Sequence, residues 1–448
     1  MNDSALFAKY DVPAPRYTSY PTVPYWGVAP TQDQWISHLR QGLDSGRNKW
    51  SMYIHIPFCE SLCTFCGCNT IITKDHKKED PYLKLILKEW ELYRQLVPEF
   101  TKSQLQGLHL GGGTPTFLSA DHLGQMLSPI LEQTHRGEHF EGSIEVDPRR
   151  TNREQLQLLY KLGFRRISLG VQDFNPEIQR LVNRLQSFEE TESITRQARE
   201  IGFDSVNFDL IYGLAKQTRA TMEHTIAQTK KLRPNRIALY SFALVPWIKP
   251  AQRLFKDEDL PTGKDKRDLY EYARTELLNF GYVEVGMDHF ALKDEALAVA
   301  MTDHKLHRNF MGYTDQKSQV MLGLGVSSIS ESPQSFHQNE KILPKYEELI
   351  NSGVIPTARG HILTEEDVSR REQILSLMTS YQVKMNPEQV KQAPEFLREM
   401  IADQLLAIHG DLIQVSEKGK PFLRNICIFF DEHLKRNKPQ TKIFSQSL

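Results

Sequence analysis

Between residues 51 and 280, short apolar runs of strand length alternate with segments of helical period, six times over. SMYIHI (51–56) reads as a strand, and DPYLKLILKEWELYRQL (80–96) spaces its apolar residues three and four apart, as a helix does. LHLG (108–111) precedes a helix opening at Ser119, and SIEV (143–146) precedes one from about Arg153 to Leu162. RISLGV (166–171) is followed by a short helix starting at Asn175-Pro176. A longer helix comes next, with capping-box spacing at Ser187 and Glu190 and a stop at Gly202. SVNFDLI (205–211), a helix over about 219–232, IALYSF (237–242) and a helix over about 264–280 complete the series. Such alternation implies a parallel sheet with right-handed crossovers. A closed eight-fold barrel needs two more units, so the expectation is a partial (β/α)6 barrel spanning 51–290.

The flanks differ. Residues 1–50 are rich in Pro and aromatics, with PRYTSYPT at 15–22, and form a separate N-terminal segment. Residues 291–448 are expected to be a mostly helical C-terminal domain. There LTEEDVSRREQILSLM (363–378) reads as an amphipathic helix, and 412–434 as strand, turn and helix. Lys plus Arg number 55 against 56 acids, a balance that argues against a nucleic-acid partner. The N-terminus lacks a basic segment leading into an apolar run, so no secretory signal is expected. The longest apolar stretch, near 237–248, is too short to insert across a membrane.

In parallel strand–helix barrels, functional groups gather where the strands end, because those loops open on one face. The cysteine-rich CESLCTFCGC (59–68) follows the first strand and GGGTP (111–115) the second. Glu145 and Asp147 end the third, and Gln172 and Asp173 follow the fourth. Asp209 lies near the end of the fifth, and Ala243 follows the sixth. Four of five cysteines fall in that first loop, with spacing Cys-x3-Cys-x2-Cys-x-Cys. In a chain expected to be cytoplasmic, crowded thiols suit a metal or redox site better than disulfides. A structural zinc site usually needs a second ligand pair a dozen or more residues away, and none follows. Soft thiolates from one tight loop favour an iron–sulfur cluster, with Phe58 and Phe65 as screens, while zinc and a redox pair remain alternatives.

Cys-x3-Cys-x2-Cys after the first barrel strand resembles the radical S-adenosylmethionine (SAM) superfamily. YIHIPFC (53–59), Cys68, LGGGTPTFL (110–118), IEVDPR (144–149), GVQDFN (170–175) and NFDLIYGL (207–214) narrow the match. So do MDHFAL (287–292), LHRNF (306–310), GLGVSSIS (323–330) and RNIC (424–427). Together they resemble the oxygen-independent coproporphyrinogen III oxidase family from about Tyr10 to Asp431. The resemblance implies that Cys59, Cys63 and Cys66 hold a 4Fe–4S cluster whose fourth iron binds SAM. Cys68 corresponds to a non-ligand cysteine needed for turnover. Glu145, Gln172, Arg184 and Asp209 match polar residues that bind SAM. Gly112, Gly113 and Thr114 would offer exposed backbone groups to its methionine part. Tyr53, Phe65, Gly67, Ala243 and Ile329 match positions contacting SAM through backbone or packing, and the family places two SAM molecules in the site.

The implied reaction converts two propionates of coproporphyrinogen III to vinyl groups, giving protoporphyrinogen IX. The electron donor would be a protein such as flavodoxin or ferredoxin, and the family implies a monomer. A carbon radical must be kept from water, so residues 1–50 and the C-terminal domain are expected to cover the mouth. The substrate's carboxylates call for cations, for which Arg16, Lys249, Arg253 and Arg308 are candidates. His304 with His307 reads as structural, and Cys427 as a buried thiol in a helix.

Overall fold

The computed structural model describes residues 3–44, 49–247, 249–439 and 444. Six parallel strands lie side by side in chain order: β1 (Lys49–Ile56), β2 (Gln104–Gly112), β3 (His135–Val146), β4 (Phe164–Gln172), β5 (Ser205–Tyr212) and β6 (Arg236–Ser241). The helices between them begin and end where local chemistry directs. Ser119 accepts from His122 N at the start of Ala120–Glu132, and Asn175 caps Pro176–Leu181. The helix Phe188–Ile201 opens on a reciprocal Ser187–Glu190 box and closes on Gly202 at φ 112.

The sheet continues past both ends of the barrel. After β6 come β7 (Tyr282–Glu284) and β8 (His289–Leu292), with β8 antiparallel to β6 and to β7. On the other side β9 (Val320–Leu324) runs parallel to β1. It is followed outward by the antiparallel β10 (Ile329–Glu331), β11 (Ser335–Asn339) and β12 (Thr357–Ile362). One sheet of twelve strands, ordered 12-11-10-9-1-2-3-4-5-6-8-7 in these labels, therefore includes residues on both sides of position 290. The mostly helical part begins after β12, with helices such as Glu365–Ser380 and Pro387–Phe396 around a small three-stranded sheet. The expected helix at 363–378 is present two residues further on, and 412–434 is a strand, a 3-10 turn and short helices.

Alternation along each barrel strand separates two environments. Leu108 and Leu110, Ile144 and Val146, Leu169 and Val171, and Phe208 and Leu210 are buried in the main core. The opposite phase is polar and forms layers in register. Tyr53 pairs with His109, His109 with Ser143, and Ser143 with Arg166. Above them Glu145 pairs with Ser168, and Ser168 with Asn207. Apart from Tyr53, these side chains line a cavity of about 220 Å³ inside the barrel.

The N-terminal segment packs into the C-terminal domain. Tyr17 and Tyr20 belong to a core with Ile374, Leu377, Ile426 and Cys427, and Leu6 and Tyr10 pack on Phe422. Arg424 donates to Pro15 O at 3.0 Å and also to Ala14 O. Tyr17 Oη donates to Asp431 at 3.1 Å. Cys427 is a buried helix thiol, as expected.

Candidate active site at the barrel mouth

The cysteine loop leaves β1 through Pro57, and its first residues, Phe58–Cys59, pair in parallel with Ile71–Ile72. This pairing closes the loop on itself just beyond the end of β1. Cys59, Cys63 and Cys66 are half-buried, whereas Cys68 is exposed. Cys66 N donates to Cys63 O at 3.1 Å, and Cys59 Sγ lies 3.4 Å from Thr114 Oγ1. Burial pushes the Cys59 thiol up to about 11. A hydrogen bond with Cys68 pulls Cys66 down to about 6 against the opposing effect of burial, and pushes Cys68 up.

The glycine string presses against this loop. Gly113 N donates to Ile56 O at 2.7 Å, and Thr114 N to Phe58 O at 2.9 Å. Gly112 N donates to Glu145 Oε2 at 3.2 Å. The expectation that this backbone presents open groups to a ligand is therefore corrected for its amides, since all three are committed within the protein. Close approach is what demands glycine. At Gly112 (φ 114) a Cβ would meet the His55 ring at 2.6–2.9 Å, and at Gly113 it would meet the backbone of Pro57 and Phe58 at 2.8 Å.

Glu145 and Asp209 stand on β3 and β5 on the lumen side. Burial raises the Glu145 pKa, but His109 and the Gly112 amide outweigh it, and the net shift is downward. Asp209 accepts from Ser168 Oγ at 2.8 Å and Asn207 Nδ2 at 3.0 Å. Burial first, and the neighbouring Glu145 charge second, still hold it up at about 6. The two carboxylates are thus held in different protonation ranges within one cavity.

Arg184 ties the mouth together. Its Nη2 and Nε donate to Gly170 O at 2.5 and 3.1 Å, and Nη1 reaches Asp147 at 3.4 Å and Cys63 Sγ at 3.6 Å. Gln172 ends β4 with φ 66, and its amide lies beside Arg184 over Gly170, where a Cβ would meet both. Tyr53 Oη is 3.0 Å from His55 Nδ1, and its ring stacks on His109 at 5.9 Å. Phe65 packs among Ile178, Ile211 and Phe242, and Gly67 has open space around its Cα. Ala243 lines a separate cavity of about 950 Å³ beside the mouth.

Two expected residues stand apart. Ile329 begins β10, but its side chain is buried against Trp26 and Phe336. Arg16 is paired with Asp288 and lies over the Tyr240 ring at 5.5 Å, so its charge is met within the protein. Of the other cations, Lys249 Nζ donates to Cys68 O at 2.7 Å and Arg253 Nε to Pro246 O at 3.4 Å. Arg308 is buried over the Tyr313 ring at 4.4 Å. Sequence reasoning missed His109, Ser168, Asn207, Tyr240 and His289, which line the lumen with Glu145 and Asp209. The period-two alternation of polar and apolar residues within each strand was the available signal.

This fold and site define a class. Residues 53–228 match the Radical SAM superfamily. The chain is 39% identical, over 99% of its length and 98% of the relative's, to the oxygen-independent coproporphyrinogen III oxidase of Salmonella typhimurium. The enzyme of that name from Pseudomonas aeruginosa is 36% identical over 96% of both chains. A solved structure of coproporphyrinogen III oxidase from Escherichia coli, a radical SAM enzyme, matches with TM-score 0.89 at 38% identity, covering 96% of this chain and 99% of that one. The chain belongs to the oxygen-independent coproporphyrinogen III oxidase family. A 4Fe–4S cluster and SAM, which that family implies, fit the groups present. Three half-buried thiols leave one loop, a guanidinium lies beside Cys63, and carboxylates of unequal acidity line the lumen. Among the described residues, no helix is long and apolar enough to cross a membrane.

Proposed function

We propose that this chain oxidatively decarboxylates two propionate side chains of coproporphyrinogen III without oxygen, giving the vinyl groups of protoporphyrinogen IX in haem biosynthesis. The observation that carries this reading is the cysteine loop at the same barrel mouth as Glu145, Gln172, Arg184 and Asp209, in a chain 39% identical to oxidases of this name. Cys59, Cys63 and Cys66 would hold a 4Fe–4S cluster, and Cys68, exposed beside them, stays outside the ligand set. The bound cluster and SAM supply a carbon radical able to take hydrogen from the β-carbon of a propionate.

This chain's own residues do the rest. The Arg184 guanidinium, 3.6 Å from Cys63 Sγ, braces that side of the cysteine loop against Gly170 and Asp147. Ionised Glu145 would accept from hydroxyl or ammonium groups of SAM, and Asp209, at about 6, would do so increasingly as pH rises through about 6. Gln172 can both donate and accept. Tyr53, Phe65, Gly67, Gly112, Gly113, Thr114 and Ala243 complete the binding surface by shape, Ile329 offers its backbone only because its side chain is buried elsewhere, and the site takes two SAM molecules. Phe65 and its apolar neighbours exclude water, and residues 1–50 with the C-terminal domain cover the mouth. The enzyme works as a cytoplasmic monomer with an electron donor such as flavodoxin or ferredoxin.

The test is anaerobic incubation of iron-loaded protein with SAM, a reductant, an electron acceptor and coproporphyrinogen III, with haem as the alternative substrate. Vinyl products from coproporphyrinogen III are expected. SAM consumption with haem, leaving coproporphyrinogen III untouched, would overturn the assignment.

A further inference from the structure

A cavity of about 950 Å³ lies outside the lumen between the N-terminal helix Asp3–Tyr10, the loop after β6 and the helix Gly263–Asn279. Its size falls within the range of small-molecule sites, about 300–1,000 Å³. One wall is apolar: Phe7 stacks on Phe422 at 5.3 Å, with Leu6, Leu244 and Leu260 nearby. The charged lining carries both signs, with Lys264 paired to Asp268 and Arg267 to Glu271, and Lys266 is the cation nearest the loop after β6. Lys266 reaches over the end of β5 because Gly213 (φ 83) has no Cβ, which would lie 2.7 Å from the lysine Cε. Its ammonium donates to Phe242 O at 3.1 Å, next to Ala243.

Arg267 follows directly. It lies over the Phe7 ring at 4.2 Å and over Tyr270 at 4.7 Å. One edge is paired with Glu271, but Nε has no hydrogen-bond partner among the described residues although the side chain is only 8% exposed. A buried guanidinium N–H left unpaired is costly unless an acceptor arrives. Arg267 also borders a smaller cavity of about 50 Å³, shared with Arg16, Lys420 and Arg424, which outnumber the acids Glu284 and Asp288 there. Arg424 records the resulting field: burial first, and the Arg16 charge next, bring its guanidinium down to about 10.

The loop after β6 connects this cavity to the chemistry. Lys249 Nζ donates to Cys68 O at 2.7 Å, and Gln252 Nε2 to Phe65 O at 3.3 Å. Phe65 shares an apolar cluster with Phe242, Leu244 and Leu260. A ligand in the cavity would therefore lie one loop away from the thiols. An apolar wall with Lys266 and the Nε edge of Arg267 beside it complements a flat ring system bearing carboxylates at its rim.

We infer that this cavity receives the tetrapyrrole ring system, and that Lys266 and Arg267 anchor carboxylates of propionates that are not reacting. The inference rests on the substrate proposed above. It adds a docking site distinct from the lumenal carboxylates and assigns substrate contacts to residues that the family motifs did not single out.

The test separates binding from turnover. Coproporphyrin III, the oxidised and unreactive ring, is titrated into the full-length, iron-loaded protein under nitrogen and followed by porphyrin fluorescence. K266Q and R267Q should each weaken binding about ten- to a hundred-fold, the effect of removing a charged hydrogen bond. An octaalkyl porphyrin without carboxylates should bind K266Q as it binds the wild type. Lys84, an exposed helix residue that does not line the cavity, supplies the control variant K84Q. Melting curves for each variant show whether it is folded, and K266Q, altered at a side-chain tip, covers the case in which R267Q does not fold. If the wild type binds coproporphyrin III and both folded variants bind it equally well, the cavity assignment is wrong. If the wild type forms vinyl product without binding coproporphyrin III, the KM for coproporphyrinogen III decides, and an unchanged KM in K266Q overturns the assignment. Absence of both binding and vinyl product in the wild type overturns the substrate reading as well.

Discussion

Replacing Gly113 by alanine should loosen the cysteine loop without touching a cysteine. The new Cβ would lie 2.8 Å from Phe58 O and from the carbonyl carbon and oxygen of Pro57. These are backbone atoms and cannot rotate aside, so the loop must move away from β2. Overpacking by one methyl costs about 1–3 kcal/mol. The Gly113–Ile56 and Thr114–Phe58 hydrogen bonds, 2.7 and 2.9 Å long, would weaken at about 1 kcal/mol each. Reduced chain entropy in the unfolded state returns about 0.4–1 kcal/mol. The net loss is about 2–5 kcal/mol, concentrated beside Cys59. Urea unfolding and iron content of anaerobically prepared G113A protein measure both effects, and iron occupancy should fall with stability. G124A is the control, because its Cβ would meet Leu158 methyls at ordinary distances of 3.6–3.7 Å within a helix, where alanine is favoured by about 1 kcal/mol. If G113A holds iron and resists urea as the wild type does, the steric account of the glycine string is refuted.

Other outcomes follow from the same geometry. Cys63→Ala should abolish iron binding, whereas Cys68→Ser should keep the iron and lose vinyl formation; equal iron loss in the two would place Cys68 among the ligands. Glu89 is buried and accepts from Tyr346 Oη at 2.5 Å, Asn339 Nδ2 at 2.6 Å and Gly325 N at 2.7 Å. Glu89→Ala strands three donors, at about 1–3 kcal/mol each, so urea unfolding should show a loss of at least about 3 kcal/mol. Burial also raises the Glu89 pKa from 4.5 to about 7, so its contribution to stability is full below 4.5 and declines as pH rises through 7; E89A should lack that slope. SAM affinity, read by equilibrium dialysis, should strengthen as pH rises through about 6 when Asp209 ionises. Glu145→Gln removes the second of the two causes that raise Asp209 and should move that midpoint toward lower pH; an unmoved midpoint would separate the two carboxylates.

What could be read from the sequence was local. The Ser187–Glu190 box, the Gly202 stop and the Ser119 cap each involve contacts within a few residues, and each lies where its pattern placed it. The order of the six barrel strands followed from alternation, since sequential crossovers leave little choice. The extension β9–β12 was not legible. Val320–Leu324 is buried throughout, so it shows no alternation, and its parallel partner lies about 270 residues earlier. Gly323 in this strand and Gly325 just beyond it serve close contacts, with Ile329 O and His55 O respectively. The candidate site was legible where motifs marked strand ends. Its lumenal polar layer was legible only as a period-two alternation, which marks a face but does not say that His109 and Asn207 meet partners across neighbouring strands. Nor could composition reveal that Arg16 would meet Asp288 from 272 positions away.

The pairing of β1 with β9 also orders events in time. A nascent chain emerging from the ribosome presents Cys59–Cys68 early, and β2 can cover one edge of β1 soon after. The other edge stays open until Val320–Leu324 has been made, which leaves the strand feeding the thiols half-paired for most of synthesis. Closing so long a loop is slow relative to local pairing. Iron delivered before that closure would meet a cysteine loop whose supporting strand is still an exposed edge. Maturation of the metal site is therefore expected to be a late event, gated by translation of the last third of the protein, and chains halted before residue 320 should emerge iron-free and prone to edge-to-edge association.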